Sequence, residues 1–264
     1  YLWDAALLKG KKVVQVDINH EQLEKVFHAD VAISADIGAA LSSLLQELTE
    51  RTCPAKQLDD FSNYKQQLEQ QARQQHTTVF QDEFALVEAF YQQLEKHFES
   101  GLTVFDDNII FAQNLFNVAA ANHFYPNSGI SSLGHAIPAA IGASFQTDDA
   151  VFAILGDGGF QMCCMEIMTA VNYNRPLTIV MFNNATMGLI RKNQYQQYDR
   201  RFIDCDFLNP DYAVLAKAFG IGYSRIDSKA DIETVFSSMN FSNSINLIEI
   251  PIDKDAFPNY QSRR

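Results

Sequence analysis

Residues 150–184 read AVFAILGDGGFQMCCMEIMTAVNYNRPLTIVMFNN, and the fold turns on this stretch. Ala150–Leu155 is an unbroken apolar run with the length and β-branched character of a strand buried on both faces. Gly156-Asp157-Gly158-Gly159 follows, and its three glycines predict a tight turn with backbone geometry closed to other residues. From Phe160 the apolar positions recur at helical spacing, at Phe160, Cys164, Ile167, Met168 and Val171, until Pro176 ends the pattern. Leu177–Phe182 is a second buried strand that stops at Asn183-Asn184. Together these pieces make one βαβ unit, a connection that is right-handed in nearly all known cases.

Two parallel strands end on the same edge of a sheet. Asp157 is therefore expected beside Asn184, although 24 residues lie between Gly158 and Asn183. The glycine turn feeds a helix N-terminus, where free N–H groups favour a phosphate. A carboxylate and an amide oxygen beside such a cradle suit Mg²⁺, which is usually shared between one or two protein groups and substrate phosphates. The stretch thus predicts a Mg²⁺–diphosphate site. No Lys-Ser/Thr follows the glycines, which excludes a P-loop, and their spacing is not that of a dinucleotide fingerprint.

Outward from this unit the chain alternates strands and helices. Glu83–Phe98 carries an apolar helical face stopped by Gly101. Leu102–Phe105 is a strand ending in Asp106-Asp107-Asn108, and the two aspartates read as caps of a helix over Ile109–Ala120. Asn209-Pro210 reads as cap and first residue of a helix over Asp211–Phe219, ended by Gly220. A strand at Tyr223–Ile226, a helix at Ala230–Met239 after Ser228, and a strand at Leu247–Ile252 follow, with a polar tail over Phe257–Arg264. Arg191, Lys192 and Arg200 read as a solvated, mobile face.

Upstream, Lys12–Ile18 and Val31–Ser34 are strands, Glu21–Phe27 a short helix and Gly38–Leu48 a longer one. This piece is too small to bury a sheet alone. Thr52–Thr78, rich in glutamine and lysine, is a linker with one polar helix capped by Ser62; His76 within it is a surface residue. The fold class is α/β: an open, mostly parallel sheet with helices on both faces from about Thr78, preceded by a fragment of a second α/β domain. The expected divisions are 1–50, 51–77 and 78–264.

Of the 264 residues 47% are hydrophobic and 20% charged, enough apolar mass for a core. No apolar run reaches membrane-spanning length, and no signal peptide is visible. The net charge of −12 argues against nucleic acid or an anionic membrane as partner. Cys53, Cys163, Cys164 and Cys205 lack metal or redox spacing and read as free thiols of a reducing cytoplasm.

Gly-Asp-Gly, a gap of this length and then Asn-Asn, with apolar strands before each, resembles the thiamine-diphosphate-binding motif of the acetolactate synthase/pyruvate decarboxylase superfamily. Asn127–Gly142 is similar to the family's second signature, a loop before a small-residue helix, and residues 1–50 resemble the end of its central domain. The chain is accordingly expected to be the C-terminal part of a longer polypeptide. The resemblance implies a cofactor site built from Asn108, Ser131, Leu133, Gly156, Asp157, Gly158, Gly159, Asn184, Thr186, Met187 and Gly188. It implies that Asp157, Asn184 and the Thr186 carbonyl hold Mg²⁺, and that Leu133 wedges beneath the cofactor; read alone, Leu133 is a core leucine. Ser131 and Leu133 would bond the aminopyrimidine through their backbone. Asn108, Ile109 and Ile110 depart from a polar segment of the family, and Asn193 stands where biosynthetic acetolactate synthases carry tryptophan. His135 carries no expected chemistry.

The activity so implied is decarboxylation of a 2-oxo acid with carboligation; a simple decarboxylase, a pyruvate-oxidase-like enzyme and a non-catalytic relative are the alternatives. The implied cofactors are thiamine diphosphate and Mg²⁺, with FAD conceivable only through the central domain. The implied partners are a small 2-oxo acid and further copies of the chain, as a homodimer or homotetramer. The family's catalytic glutamate has no candidate here and is expected in an N-terminal domain; Glu166 is expected only to brace the glycine turn.

Overall fold

The computed structural model describes residues 5–49, 60–68, 70–71, 79–127 and 130–259. They fall into two compact units, one within residues 1–72 and one within 73–262. His76, Cys53 and the end of the polar tail lie outside the described residues.

In the first unit β1 (Val14–Asp17) pairs in parallel with β2 (Val31–Ser34), and α1 (Ile37–Thr49) follows. The helix expected over Glu21–Phe27 is only a single 3-10 turn, His20–Gln22. Asn19 opens it by accepting the Glu21 N–H, and Glu24 just beyond adopts φ 57°, which stops any continuation. β2 is exposed along its whole length, and Ala29 is the only buried residue described in this unit. Residues 60–68 are helical; Ser62 lies inside that helix, where it cannot serve as its cap.

The second unit is built on a six-stranded sheet in the order β4-β3-β5-β6-β8-β7, every neighbouring pair parallel. Its strands are β3 (Leu102–Asp106), β4 (His123–Pro126), β5 (Ala150–Gly156), β6 (Leu177–Asn183), β7 (Gly222–Arg225) and β8 (Ile245–Pro251). Side chains alternate along each strand, so the continuous apolar runs feed two cores. On one face Phe152, Ile154, Val180, Phe182 and Ile250 pack under α2 (Ala85–His97), α3 (Ile110–Leu115) and α9 (Lys229–Ser238). On the other, Val151, Ala153, Leu155, Ile179 and Met181 pack under α4 (Ala136–Ala143), α5 (Asp157–Cys163), α6 (Ile167–Asn172) and α8 (Tyr212–Phe219). Each fully buried Phe, Ile or Leu contributes roughly 1.5–3 kcal/mol of transfer free energy.

Helices α3 and α8 begin or end elsewhere than expected. α3 stops at Leu115 instead of Ala120, because the Glu95 carboxylate of α2 accepts the Asn117 N–H at 2.7 Å and draws the backbone out of the helix. α8 is capped by Asp211, which accepts the Val214 N–H at 3.0 Å, and not by Asn209. Its far end closes at Gly220 with φ 74°, a left-handed cap suited to glycine.

The strand order has one functional consequence. β3 sends the chain to β4 on one side, whereas β5 sends it to β6 on the other. The crevice between the carboxyl ends of β3 and β5 is therefore a topological switch point, where open α/β sheets bind ligands.

Candidate functional site

The Gly156–Gly159 segment is not a separate turn. Gly156 is the residue before α5, and the helix begins at Asp157, three residues earlier than the apolar spacing indicates. None of these glycines has a positive φ, so their role is close approach and not unusual backbone geometry. A Cβ on Gly159 would collide with the Asp107 carboxylate from the end of β3. One on Gly188, which opens α7 (Gly188–Gln197), would lie 2.8 Å from the Asn184 Nδ2. These two glycines let a carboxylate and an amide sit directly against backbone.

Asp157 is 1% exposed. Its Oδ2 accepts the Ala185 N–H at 2.6 Å and the Asn209 Nδ2 at 2.7 Å, and its Oδ1 accepts the Gly158 N–H at 3.0 Å. Burial pushes its carboxyl above the ordinary carboxylate range, and these hydrogen bonds oppose the shift. The Ala185 bond ties the end of β5 to the residue that follows Asn184. Asn184 Oδ1 in turn accepts the Thr186 N–H at 3.3 Å. Thr186 is buried, donates its hydroxyl to the Cys205 carbonyl at 2.9 Å and bridges to Asp206. Met187 joins the same segment through its N–H to Cys205, 2.8 Å, and its sulfur packs over Gly158.

Asp107 does not cap the helix next to it in sequence. It accepts the N–H groups of Gly134 (2.7 Å), His135 (2.8 Å) and Ala136 (3.3 Å), and so caps α4 from another strand. Asp106 does serve its own loop: Oδ1 accepts the Ile109 N–H at 2.9 Å. Its Oδ2 is buried with no hydrogen-bond partner among the described residues. Burial pushes its carboxyl up to about 7; the Ile109 N–H and Gln113 oppose this, and the Asp107 charge adds to it.

Ser131 and Leu133 lie on the loop before α4, next to Gly134, whose N–H donates to Asp107. Leu133 is half-buried and lines an open cavity of about 510 Å³ with Asn127, Ser132, Gly134, His135 and Pro138. Three residues of the candidate set or beside it have positive φ: Asn108 (63°), Ser131 (57°) and Ala185 (52°). Backbone strain of this kind concentrates at functional loops, and no sequence pattern announced it at Ala185.

Asn209 is a partner of Asp157, not a helix cap. Arg191 and Lys192 are buried, not a solvated face. Arg191 reaches Asp206 at 3.0 Å and Asp255 at 2.6 Å and lies over the Phe202 ring, which makes its burial tolerable; Arg200 is exposed as expected. Glu166 is exposed and accepts the Thr169 hydroxyl at 3.3 Å; no hydrogen bond joins it to the glycine segment. Cys163 is a buried free thiol pushed up to about 12 by burial and then by the Asp107 charge, which makes it inert.

The description "Thiamine pyrophosphate enzyme, C-terminal TPP binding domain" belongs to a family model that matches residues 108–250, more than half of the chain. The chain belongs to this family. In this thiamine pyrophosphate enzyme domain the ends of β5 and β6 and the glycine segment lie inside the matched region. Among similar proteins, the acetolactate synthase isozyme 2 large subunit of Escherichia coli is 29% identical over 250 residues, covering 92% of this chain and 43% of that protein. The acetolactate synthase large subunit of Lactococcus lactis is 28% identical over 236 residues, 85% of this chain and 39% of that protein. The sulfoacetaldehyde acetyltransferase of Alcaligenes xylosoxydans is 27% identical over 251 residues, 85% and 42% respectively. The chain thus spans less than half the length of these relatives.

The residues present fit the thiamine diphosphate (pyrophosphate) and metal of such a domain in the chemistry of their donors. Among the described residues no three His, Cys, Asp or Glu side chains gather as a metal cage. The donors at this edge are instead one carboxylate, one amide oxygen and backbone carbonyls, the sparse hard-oxygen set that Mg²⁺ accepts when phosphates supply the rest. No described helix is long and apolar enough to cross a membrane.

Proposed function

We propose that this chain is the cofactor-holding part of a thiamine-diphosphate- and Mg²⁺-dependent enzyme that acts on 2-oxo acids, decarboxylating one and joining the remaining fragment to an acceptor. The observation that carries this reading is the junction of the β5 and β6 ends, where the Ala185 N–H donates to Asp157 at 2.6 Å beside Asn184. In this reading Asp157, Asn184 and the Thr186 carbonyl hold Mg²⁺, and the backbone at Asn108, Gly156, Gly158, Gly159, Met187 and Gly188 borders the diphosphate. Leu133, half-buried on the cavity, supports the cofactor's rings, with Ser131 beside it. When bound, the cofactor supplies the electron sink for cleaving and making bonds next to a carbonyl. The chain's own contribution is orientation: a buried carboxylate fixed by three N–H groups, and a loop anchored through Thr186 and Cys205.

The names of the relatives favour acetolactate synthesis over simple decarboxylation, with acetyl transfer also within reach of the same domain. Nothing among the described residues supports FAD. The proton-transfer glutamate would come from a further domain, and the assembly of the full-length protein is proposed to be a homodimer or homotetramer. Incubating the full-length protein with pyruvate, thiamine diphosphate and Mg²⁺ and identifying the product tests the reading. Acetolactate is expected. Acetaldehyde or acetyl phosphate would replace the proposed reaction with another of the same cofactor, and no cofactor-dependent product would overturn it.

A further inference from the structure

Asn209 is not among the residues proposed to hold the cofactor or the metal. It lies in the loop before α8, yet its side chain makes three short hydrogen bonds at the carboxyl edge of the sheet. Its Nδ2 donates to Asp157 Oδ2 at 2.7 Å and to Asn183 Oδ1 at 2.7 Å. Its Oδ1 accepts the Gln161 Nε2 at 2.6 Å. Both amide hydrogens are thereby committed, one to each of the two strand ends.

The bonds continue beyond it. Asn183 Nδ2 donates to Glu249 Oε1 at 2.7 Å. Glu249, 3% exposed, also accepts the Tyr223 hydroxyl at 2.6 Å and the Arg225 guanidinium at 2.9 Å. Asp157, Asn183, Glu249 and Tyr223 with Arg225 belong to β5's end, β6, β8 and β7, four neighbours in sheet order. Polar side chains from these four neighbours form a row across the carboxyl edge, and the Asn209 side chain joins it from the loop before α8.

The row determines how Asp157 presents its carboxylate. Among the hydrogen bonds of the described residues, Oδ2 accepts two N–H groups, from Ala185 and Asn209, and Oδ1 accepts the Gly158 N–H. A carboxylate oxygen has two lone pairs, so Oδ2 is filled and Oδ1 is the oxygen still able to take a cation. We infer that Asn209 is a positioning residue for the metal: by saturating Oδ2 it makes Asp157 a ligand through Oδ1 alone. The inference rests on the proposed Mg²⁺ site. Single-oxygen coordination suits Mg²⁺, which demands near-ideal octahedral geometry, while Ca²⁺ readily takes both oxygens of a carboxylate.

The test is calorimetry on the full-length protein in excess thiamine diphosphate, titrated separately with Mg²⁺ and Ca²⁺. The variants are Asn209→Ala, Asn209→Leu, which keeps the bulk without donors, and Gln161→Ala, which removes only the outer brace. Melting of the metal-free proteins reports folding. Asn209 is half-buried, and folded variants are expected. Loss of an outer-shell partner typically weakens metal binding about 10–100-fold. Asn209→Ala and Asn209→Leu should both lose Mg²⁺ affinity in that range, lose less for Ca²⁺, and so narrow the preference between the two; Gln161→Ala should shift in the same direction by less. Unchanged Mg²⁺ affinity in Asn209→Ala, equal losses for both ions, or full recovery in Asn209→Leu would each overturn the inference. If the parent itself shows no Mg²⁺-dependent cofactor binding, the proposed function and this inference fail together; a binding parent with unaltered variants removes this inference alone.

Discussion

Asp157 accepts three N–H groups while almost wholly buried, so its removal has two separable effects. Asp157→Ala should abolish Mg²⁺-dependent cofactor binding by calorimetry. It should also leave donors unpaired, lowering stability by about 1–3 kcal/mol without unfolding the domain. A variant that binds the cofactor as tightly as the parent would sink the assignment. Leu133 is only half-buried, so Leu133→Ala should cost less than the roughly 2–5 kcal/mol of a core leucine. Its turnover at saturating cofactor should nevertheless fall; unchanged turnover would return Leu133 to a packing role. The meeting of the Asp157 and Asn184 segments was legible in the sequence because each ends an apolar run, and topology brings such ends together. The place of Asn209 was not: it bonds Asp157 across 52 residues, and its local Asn-Pro pattern imitates a helix cap. Arg191 was hidden for the same reason, since its partners Asp206 and Asp255 lie 15 and 64 residues away.

Helix α4 shows how one element depends on a distant residue. Its eight residues, AIPAAIGA, contain no polar group to satisfy their own first N–H groups. Asp107 supplies that acceptor from the end of β3, bonding three consecutive amides. Asp107→Ala should therefore destabilise the second unit by about 1–2 kcal/mol, the range of a lost helix cap, and more if the amides stay dry. Urea unfolding of the parent and the variant measures it, and equal midpoints would show that the cap is dispensable. The helices and strands themselves were readable from periodicity. Their first and last residues were not, because caps such as Asp107 and pulls such as Glu95 on Asn117 come from elsewhere in the fold.

At the scale of the molecule, Asp106 ties stability to pH. Its folded carboxyl is raised from the ordinary 3.8 to about 7 by burial, so the fold prefers it protonated. The unfolded chain releases that proton near 4, and the folded protein holds it until about 7. Stability is thus lost as pH rises through this window and levels off above it. At about 1.4 kcal/mol per pH unit the loss is bounded at about 4 kcal/mol. Asp106→Asn should flatten the dependence, melting closer to its pH 5 value at pH 8 than the parent does; parallel curves would show that another group is responsible.

The place of β8 carries a consequence for the making of the protein. It pairs with β6 from Leu177↔Ile245 to Asn183↔Pro251 and with β7 on its other side. A ribosome releases β6 some seventy residues before the strand that completes it, and β7 emerges with nothing yet to hold. Until Ile245–Pro251 is out, the apolar flank of β6 is an open template for any passing chain. The sheet's commitment to its native state waits for β8, and the nascent chain is most in need of a chaperone over that interval.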